Sequence, residues 1–273
     1  MCVIIGADLN CEEIKMIFET HAHYDDEAFD EDRYELIPQL FEGGVNKIVN
    51  VGASMESTRT SLELARKYDY IYAAVGVHPN EVEKLTEDSM EEIKKYTKDE
   101  KVVAIGEIGL EYHYLEPDKE TQMKWYRRQM DLAVETQMPV IIHSRDAAEE
   151  TFNVMKEYAG RIPGAIIHCY SYSPQLAKEY VKLGYYIGVG GVVTFKNAKK
   201  LVKTVEEISL ENIVLETDCP YMAPEPHRGT RNNSLNINYV AAKIAEIKGV
   251  TKEEVEDITY KNAMNFYRIP REA

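Results

Sequence analysis

Residues 16–23 read Met-Ile-Phe-Glu-Thr-His-Ala-His, and this stretch decides the fold. A short apolar run, Met16-Ile17-Phe18, is followed by two histidines, His21 and His23, that stand two positions apart. Residues i and i+2 of a strand point to the same face, whereas on a helix they diverge by more than half a turn. A strand therefore places both imidazoles side by side, as a divalent metal ion requires.

The composition is that of an ordinary globular protein. Of the 273 residues, 44% are hydrophobic and 29% are charged, and no apolar stretch approaches the roughly 18 residues of a membrane span. The net charge of −15 argues against general affinity for nucleic acid, which depends on basic surfaces. The N-terminus does not resemble a secretory signal, and the four cysteines show no disulfide framework. We therefore expect a cytoplasmic protein without membrane association.

Short β-type runs alternate with amphipathic helical patterns along the whole chain. Eight runs rich in Val and Ile predict strands at residues 17–20, 47–51, 71–77, 102–107, 140–143, 165–168, 185–189 and 213–218. Helical patterns lie between and after them, among them residues 57–67, 122–136, 235–248 and 252–266. Strands that alternate with helices predict a parallel sheet, and eight of them close a (β/α)8 barrel of the TIM type. A doubly wound open sheet is the alternative.

Polar residues stand at or just after the C-terminal ends of the predicted strands. They are His21, His78, Glu107, His143, His168 and Asp218. In a barrel the C-terminal ends of all strands surround one mouth, so these side chains converge. In an open sheet the same ends lie along an edge, and six side chains could not meet. The distribution favours a single-domain α/β barrel.

The candidate metal ligands are four imidazoles and two carboxylates: His21, His23, His143, His168, Glu107 and Asp218. A carboxylate after a buried strand is costly unless it is paired or bound to a metal ion. Nitrogen and oxygen ligands suit zinc, manganese, nickel or iron, and we keep magnesium open. Six ligands are too many for one tetrahedral catalytic ion, but they suit two divalent ions bridged by a carboxylate. His113 and His227 are predicted to be structural or solvent-facing.

Seven motifs follow one another along the chain. They are Thr20-His21-Ala22-His23, Gly76-Val77-His78-Pro79, Gly106-Glu107-Ile108-Gly109-Leu110, His143-Ser144-Arg145, His168-Cys169-Tyr170-Ser171, residues 191–197, and Glu216-Thr217-Asp218-Cys219-Pro220-Tyr221 running on to Arg228-Gly229. Together they resemble the motifs of the TatD-type metal-dependent deoxyribonucleases. The resemblance implies a TIM-type barrel, the same six metal ligands, and metal-dependent hydrolysis of nucleic-acid phosphodiester bonds, often as a 3′-to-5′ exonuclease on single strands. Glu111 departs from the pattern, because many relatives have Asp there.

The expected mechanism divides the ligands between two ions. The two histidines of the first motif would hold one ion with Asp218, and His143 and His168 would hold the other, with Glu107 between them. Asp218 is expected to accept the proton of the attacking water. Glu216 shares the face of Asp218 by the strand period of two, and we expect it to act as a helper.

The expected substrate is DNA, with RNA left open. His78 and Arg228 are expected to neutralise phosphate charge at the mouth of the barrel, Arg228 through a bidentate contact. Two divalent ions would add positive charge there, which can attract a phosphate terminus without a basic surface. No obligate protein partner is inferred.

Two other functions stay open at this point. A small-molecule amidohydrolase or lactonase could use a similar ligand set on the same barrel, because activated water attacks a carbonyl carbon as well as phosphorus. Such a neutral substrate would not need His78 or the loop of Arg228. A non-catalytic metal-binding protein is less favoured, because every proposed ligand is intact.

Residues 1–15 are predicted to be a dispensable N-terminal extension, and residues 16–273 to form the hydrolase barrel. The extension has one short apolar stretch, Val3-Ile4-Ile5, and therefore offers little hydrophobic surface for docking. We predict that Met16 is the natural start. The alternative is an extra strand or hairpin that closes the bottom of the barrel.

Overall fold

The strands and helices alternate as the sequence predicts, and the computed structural model describes them over residues 17–270. The strands are β1 (Ile17–Ala22), β2 (Val45–Val51), β3 (Ile71–Val75), β4 (Val102–Glu111), β5 (Val140–Arg145), β6 (Ala165–Ile167), β7 (Tyr186–Val189) and β8 (Ile213–Leu215). The helices are α1 (Arg33–Glu42), α2 (Met55–Lys67), α3 (Glu87–Tyr96), α4 (Lys119–Thr136), α5 (Ala148–Tyr158), α6 (Pro174–Lys182), α7 (Lys199–Glu207), α8 (Ile237–Lys248) and α9 (Lys252–Tyr267). Short 3-10 segments cover Glu27–Phe29, Pro79–Lys84, Gly191–Thr194, Leu210–Asn212 and Ser234–Asn236.

All eight strands lie in one sheet in sequence order, and every neighbouring pair is parallel. The barrel is nearly closed, because the chain after β8 returns to β1 through individual hydrogen bonds. Asp218 N donates to His21 O over 2.9 Å, and His23 N donates to Cys219 O over 2.9 Å. The predicted TIM-type barrel is confirmed, and its closure brings the β1 histidines beside the segment that follows β8.

Two apolar layers hold the barrel together. The outer layer packs the strands against the helices, and the inner layer fills the barrel with side chains such as Phe18, Ile141, Ile166 and Val214. Helix α9 closes the N-terminal end: the ring of Tyr267 stacks on that of Phe18 at 5.6 Å. Because this end is filled, the C-terminal ends of the strands form the open mouth.

Strand β4 is longer than predicted and runs on from Glu107 to Glu111. The side chain of Gln122 supports the extension, because its Oε1 accepts from Glu111 N and its Nε2 donates to Glu111 O, both over 2.9 Å. Helix α6 begins with Ser173 as the N-cap and Pro174 in the first turn.

The predicted extension, residues 1–15, lies outside the described residues, so its dispensability stays a prediction. Within residues 17–270, no helix is long and apolar enough to cross a membrane.

Candidate metal centre

The two histidines of β1 lie side by side at the mouth, as the strand spacing predicts. The Nε2 atoms of His21 and His23 are 3.0 Å apart, and both residues are buried. His23 Nδ1 lies 2.8 Å from the carbonyl oxygen of Val51 and donates to it, which leaves Nε2 free to face the centre. The ring of His168, just after β6, stacks on that of His21 at 3.6 Å.

Glu107 occupies the middle of the cluster, and its two carboxylate oxygens face different histidines. Its Oε2 lies 3.4 Å from His21 Nε2 and 3.8 Å from His23 Nε2. Its Oε1 lies 2.7 Å from His143 Nδ1 and 3.6 Å from His168 Nε2. Burial opposes ionisation, but the surrounding imidazoles hold the pKa of Glu107 well below its usual range, so this buried group is a carboxylate.

The strands that carry these side chains are irregular at the centre. The register of β4 against β5 shifts between Ile105 and Ile108, and that of β1 against β2 shifts between Glu19 and Ala22. Such irregularities re-aim side chains beside active sites. Here they fall around Glu107 and around the first histidine of β1.

Asp218 completes the cluster from the segment after β8. Its Oδ1 lies 3.4 Å from His23 Nε2 and 3.8 Å from His168 Nε2. Glu216 lies beneath it, where Oε2 is 3.2 Å from His168 Nδ1 and Oε1 accepts from Cys169 N over 2.6 Å. Both acidic residues follow the end of β8 at Leu215, and their surroundings differ, because Glu216 is fully buried and Asp218 is partly open to the mouth.

The charges of the cluster shift the pKa values of its histidines. Burial lowers the pKa of His168, but Glu216, Glu107 and Asp218 outweigh it and raise that pKa to about 10. His23 behaves in the same way, because Asp218 and Glu107 raise its pKa to about 9 against the effect of burial. Metal ligands must be deprotonated, so a metal ion that binds here has to displace these protons.

All six predicted ligands come together in one cluster. Of the three remaining histidines, two lie outside the cluster and one lies at its edge. His113 and His227 lie outside the cluster, where His113 Nδ1 is 3.2 Å from Asp146 Oδ2 and His227 Nε2 is 3.0 Å from the hydroxyl of Tyr239. His78 lies at the edge of the cluster, with its ring 4.3 Å from that of His143.

The two residues predicted to bind substrate differ in their surroundings. His78 Nδ1 accepts from Asn80 N over 3.2 Å, and burial lowers the pKa of His78 to about 3. The lowered pKa favours the neutral imidazole, and the predicted contact of His78 with phosphate stays a prediction. Arg228 is exposed on the loop after β8, and its guanidinium lies 4.3 Å from the ring centre of Phe195.

Sequence reasoning missed two buried carboxyl groups that contact the cluster. Glu111 Oε2 lies 3.2 Å from His143 Nε2, the ring nitrogen that faces away from Glu107. Glu19 Oε1 accepts from the backbone N of His21 over 3.0 Å and from that of Thr217 over 2.9 Å. A signal for Glu111 exists, because it follows Glu107 at a distance of four, twice the period of a strand.

Comparisons with known proteins identify relatives of the chain. A family model described as TatD related DNase matches residues 18–268. The chain belongs to this family. Other TatD-family members align over nearly their full length: YabD of Bacillus subtilis, called a metal-dependent hydrolase, is 42% identical over 93% of this chain and 100% of its own. The crystal structure of YJJV, a TatD homologue from Escherichia coli, superposes with a TM-score of 0.87 at 31% identity, covering 93% of this chain and 98% of that chain.

This TatD-family protein is accordingly a metal-dependent hydrolase. Its clusters of His, Glu and Asp side chains could bind metal ions. Within residues 17–270, four groups of three residues that share members each bring three ligand atoms within 4.8 Å of one another.

Proposed function

We propose that the protein hydrolyses phosphodiester bonds of nucleic acid, as a 3′-to-5′ exonuclease on single-stranded DNA, with two divalent ions. The observation that carries this proposal is that the two carboxylate oxygens of Glu107 face different histidines. Oε2 lies 3.4 Å from His21 Nε2, and Oε1 lies 2.7 Å from His143 Nδ1. A carboxylate placed between two sets of ligand atoms is typical of a bridge between two ions. The match to a family described as TatD related DNase supports a nucleic-acid substrate.

The donor set fits a pair of divalent ions. The ligands form two sets around Glu107, one of His21, His23 and Asp218 and the other of His143 and His168. Imidazole nitrogens combined with carboxylate oxygens suit zinc, manganese, nickel or iron, with magnesium kept open. Carbonyl and carboxylate groups behind the rings orient them: Val51 O faces His23 Nδ1 and Glu216 Oε2 faces His168 Nδ1. Ions held there would supply a lowered pKa for coordinated water and positive charge toward phosphoryl oxygens.

In this proposal Asp218 accepts the proton of the attacking water. Its side chain is 18% exposed at the mouth. Burial raises its pKa, but His168 and the hydrogen bond with His23 outweigh this and hold it below the usual range, so the group is an ionised acceptor. Glu216 is fully buried against His168 and acts by orienting that ring, without contact to substrate.

His78 and Arg228 would contact the phosphate in different ways. Because His78 Nδ1 accepts from Asn80 N, the ring hydrogen is on Nε2, and the neutral imidazole can donate one hydrogen bond. Arg228 supplies the positive charge and the paired N–H groups of a bidentate contact.

Turnover of chromogenic substrates tests the reaction class. We expect metal-dependent hydrolysis of bis(p-nitrophenyl) phosphate to exceed that of a p-nitrophenyl ester and a p-nitroanilide. Faster turnover of the ester or the anilide would favour a small-molecule amidohydrolase or lactonase. No turnover of any of them with the candidate metals would favour a non-catalytic metal-binding protein.

Metal content tests the two-ion arrangement independently of turnover. Titration of the metal-free protein should approach two ions per chain, and His143→Ala should lose mainly one of them. His227→Ala is the matched control, because this histidine lies outside the cluster, and both ions should remain. A wild-type protein that never binds more than one ion in metal excess would contradict the bridge at Glu107.

A further inference from the structure

Exposed aromatic side chains occur on the rim of the mouth as well as on the outer surface. Within residues 17–270 the large apolar side chains with the greatest exposure are Tyr34, Phe41, Tyr114, Leu115, Tyr221, Met222 and Tyr239. Of these, Tyr114 and Leu115 lie in the loop between β4 and α4, and Tyr221 and Met222 lie in the loop after β8. Both loops leave strands at the C-terminal face, where active sites of this fold lie.

Tyr114 is connected to the metal centre through a series of direct contacts. Arg145 stands two positions after His143 on β5, so both side chains point to the same face. Its guanidinium carbon lies 5.4 Å from the ring centre of Tyr114, and its Nη1 lies 3.8 Å from Glu111 Oε2. The same Glu111 oxygen is 3.2 Å from His143 Nε2. The Tyr114–Arg145 pair therefore lies just beyond the side chain of a candidate ligand.

The loop that carries Tyr114 is held at both of its ends. Glu111 Oε1 accepts from His113 N over 2.7 Å and from Tyr114 N over 3.3 Å. Gln122 Nε2 donates to the carbonyl oxygens of Glu111 over 2.9 Å and Pro117 over 2.8 Å. The aromatic ring is thus presented to solvent from an ordered backbone, which reduces the entropy that binding would cost.

Charge distinguishes the two aromatic positions on the rim. Tyr221 donates its hydroxyl hydrogen to Asp26 Oδ2 over 2.7 Å, so its neighbour is a carboxylate that would repel a phosphate. Tyr114 has Arg145 beside it, and the nearby Asp146 lies 3.2 Å from a ring nitrogen of His113. In a protein with a net charge of −15, a rim aromatic beside an arginine is the position that suits an anionic strand.

We propose that Tyr114 and Arg145 form a stacking site for the unpaired base of the nucleotide whose phosphate is cleaved. This inference rests on the proposed nuclease function. Unpaired bases stack on aromatic rings and on arginine planes, which adds affinity without reading sequence. The site selects for an unpaired base, because a base within a duplex cannot offer its face to the Tyr114 ring.

A comparison of two oligonucleotides tests the stacking site. One is single-stranded DNA, and the other is the same strand with the base of its 3′-terminal nucleotide replaced by hydrogen. We expect Tyr114→Ala to lower kcat/KM for the first by about 5- to 150-fold, the range that alanine substitution of a stacked aromatic gives. It should leave kcat/KM for the baseless strand and for bis(p-nitrophenyl) phosphate unchanged, whereas Tyr114→Phe should behave as wild type.

Tyr34→Ala is the matched control, because Tyr34 is 55% exposed, Tyr114 is 56% exposed, and Tyr34 also contacts a cation, Lys67. Tyr34 lies on the outer helix α1, and Tyr34→Ala should change kcat/KM for neither oligonucleotide. Equal kcat/KM of wild type and Tyr114→Ala on the first strand, or an equal loss on both strands, would overturn the stacking site. Failure of the wild type to hydrolyse any phosphodiester would instead refute the nuclease function, so the two failures are distinguishable.

Discussion

Glu19 is a fully buried carboxyl group beneath the metal centre, and we expect its proton to make folding stability depend on pH. Burial raises the pKa of Glu19 from its ordinary 4.5 to about 8, and hydrogen bonds from Thr217 and from the backbone N of His21 reduce this shift only in part. Thr217 Oγ1 donates to Glu19 Oε2 over 2.5 Å, but this bond does not offset the effect of burial. The folded protein therefore keeps a proton that the unfolded chain releases.

The sign and size of the effect follow from the two pKa values. The folded pKa of about 8 lies above the unfolded 4.5, so the stabilisation is full below pH 4.5 and is lost as the pH rises toward 8. Between pH 5 and pH 8 this one group should reduce the free energy of unfolding by about 3–4 kcal/mol. Above pH 8 both states are ionised, and the contribution becomes constant.

Glu19→Gln isolates this contribution, because the amide has the shape of the carboxyl group but does not titrate, and its oxygen can accept from the backbone N of His21 and of Thr217 as Glu19 Oε1 does. The assay is denaturant unfolding of both proteins in metal-free buffer between pH 5 and pH 9. The stability of the variant relative to wild type should increase by about 3–4 kcal/mol from pH 5 to pH 8. Glu63→Gln, at an exposed position of α2, should show no such trend. A constant difference between Glu19→Gln and wild type across this range would refute the reasoning.

Three further predictions concern the centre and the N-terminal extension. Glu111→Gln should lower the affinity for the metal ion at His143, or the activity, by about 10- to 100-fold, because Glu111 orients the ring of His143. Metal titration of the wild type and of the variant measures this affinity. His78→Ala should leave metal content intact and reduce turnover of DNA more than that of a p-nitrophenyl ester; metal loss in this variant would place His78 among the ligands instead. A chain that begins at Met16 should keep its metal-dependent activity and melt within a degree or two of the full chain, whereas a decrease of about 4 °C or more, over about 1 kcal/mol, would make the extension part of the fold.

The sequence by itself determined the fold and the identity of the clustered side chains. The short runs rich in Val and Ile, with helical patterns between them, were enough to predict eight strands that alternate with helices. The positions of His21, His143 and His168 at the ends of those runs were enough to predict that they meet at one mouth, because the parallel strands of a barrel all end on the same face. The helper role of Glu216 stays a prediction.

Only the tertiary structure decided which atoms meet within that cluster. The register shifts around Glu107, the extension of β4 to Glu111 and the closure of β8 onto β1 depend on contacts between distant segments. The lowered pKa of His78 and the raised pKa of Glu19 depend on burial and on which groups surround each side chain. Periodicity is a local property that specifies the face of each side chain. Distances, protonation states and hydrogen-bond partners arise from packing between strands, which a local pattern does not contain.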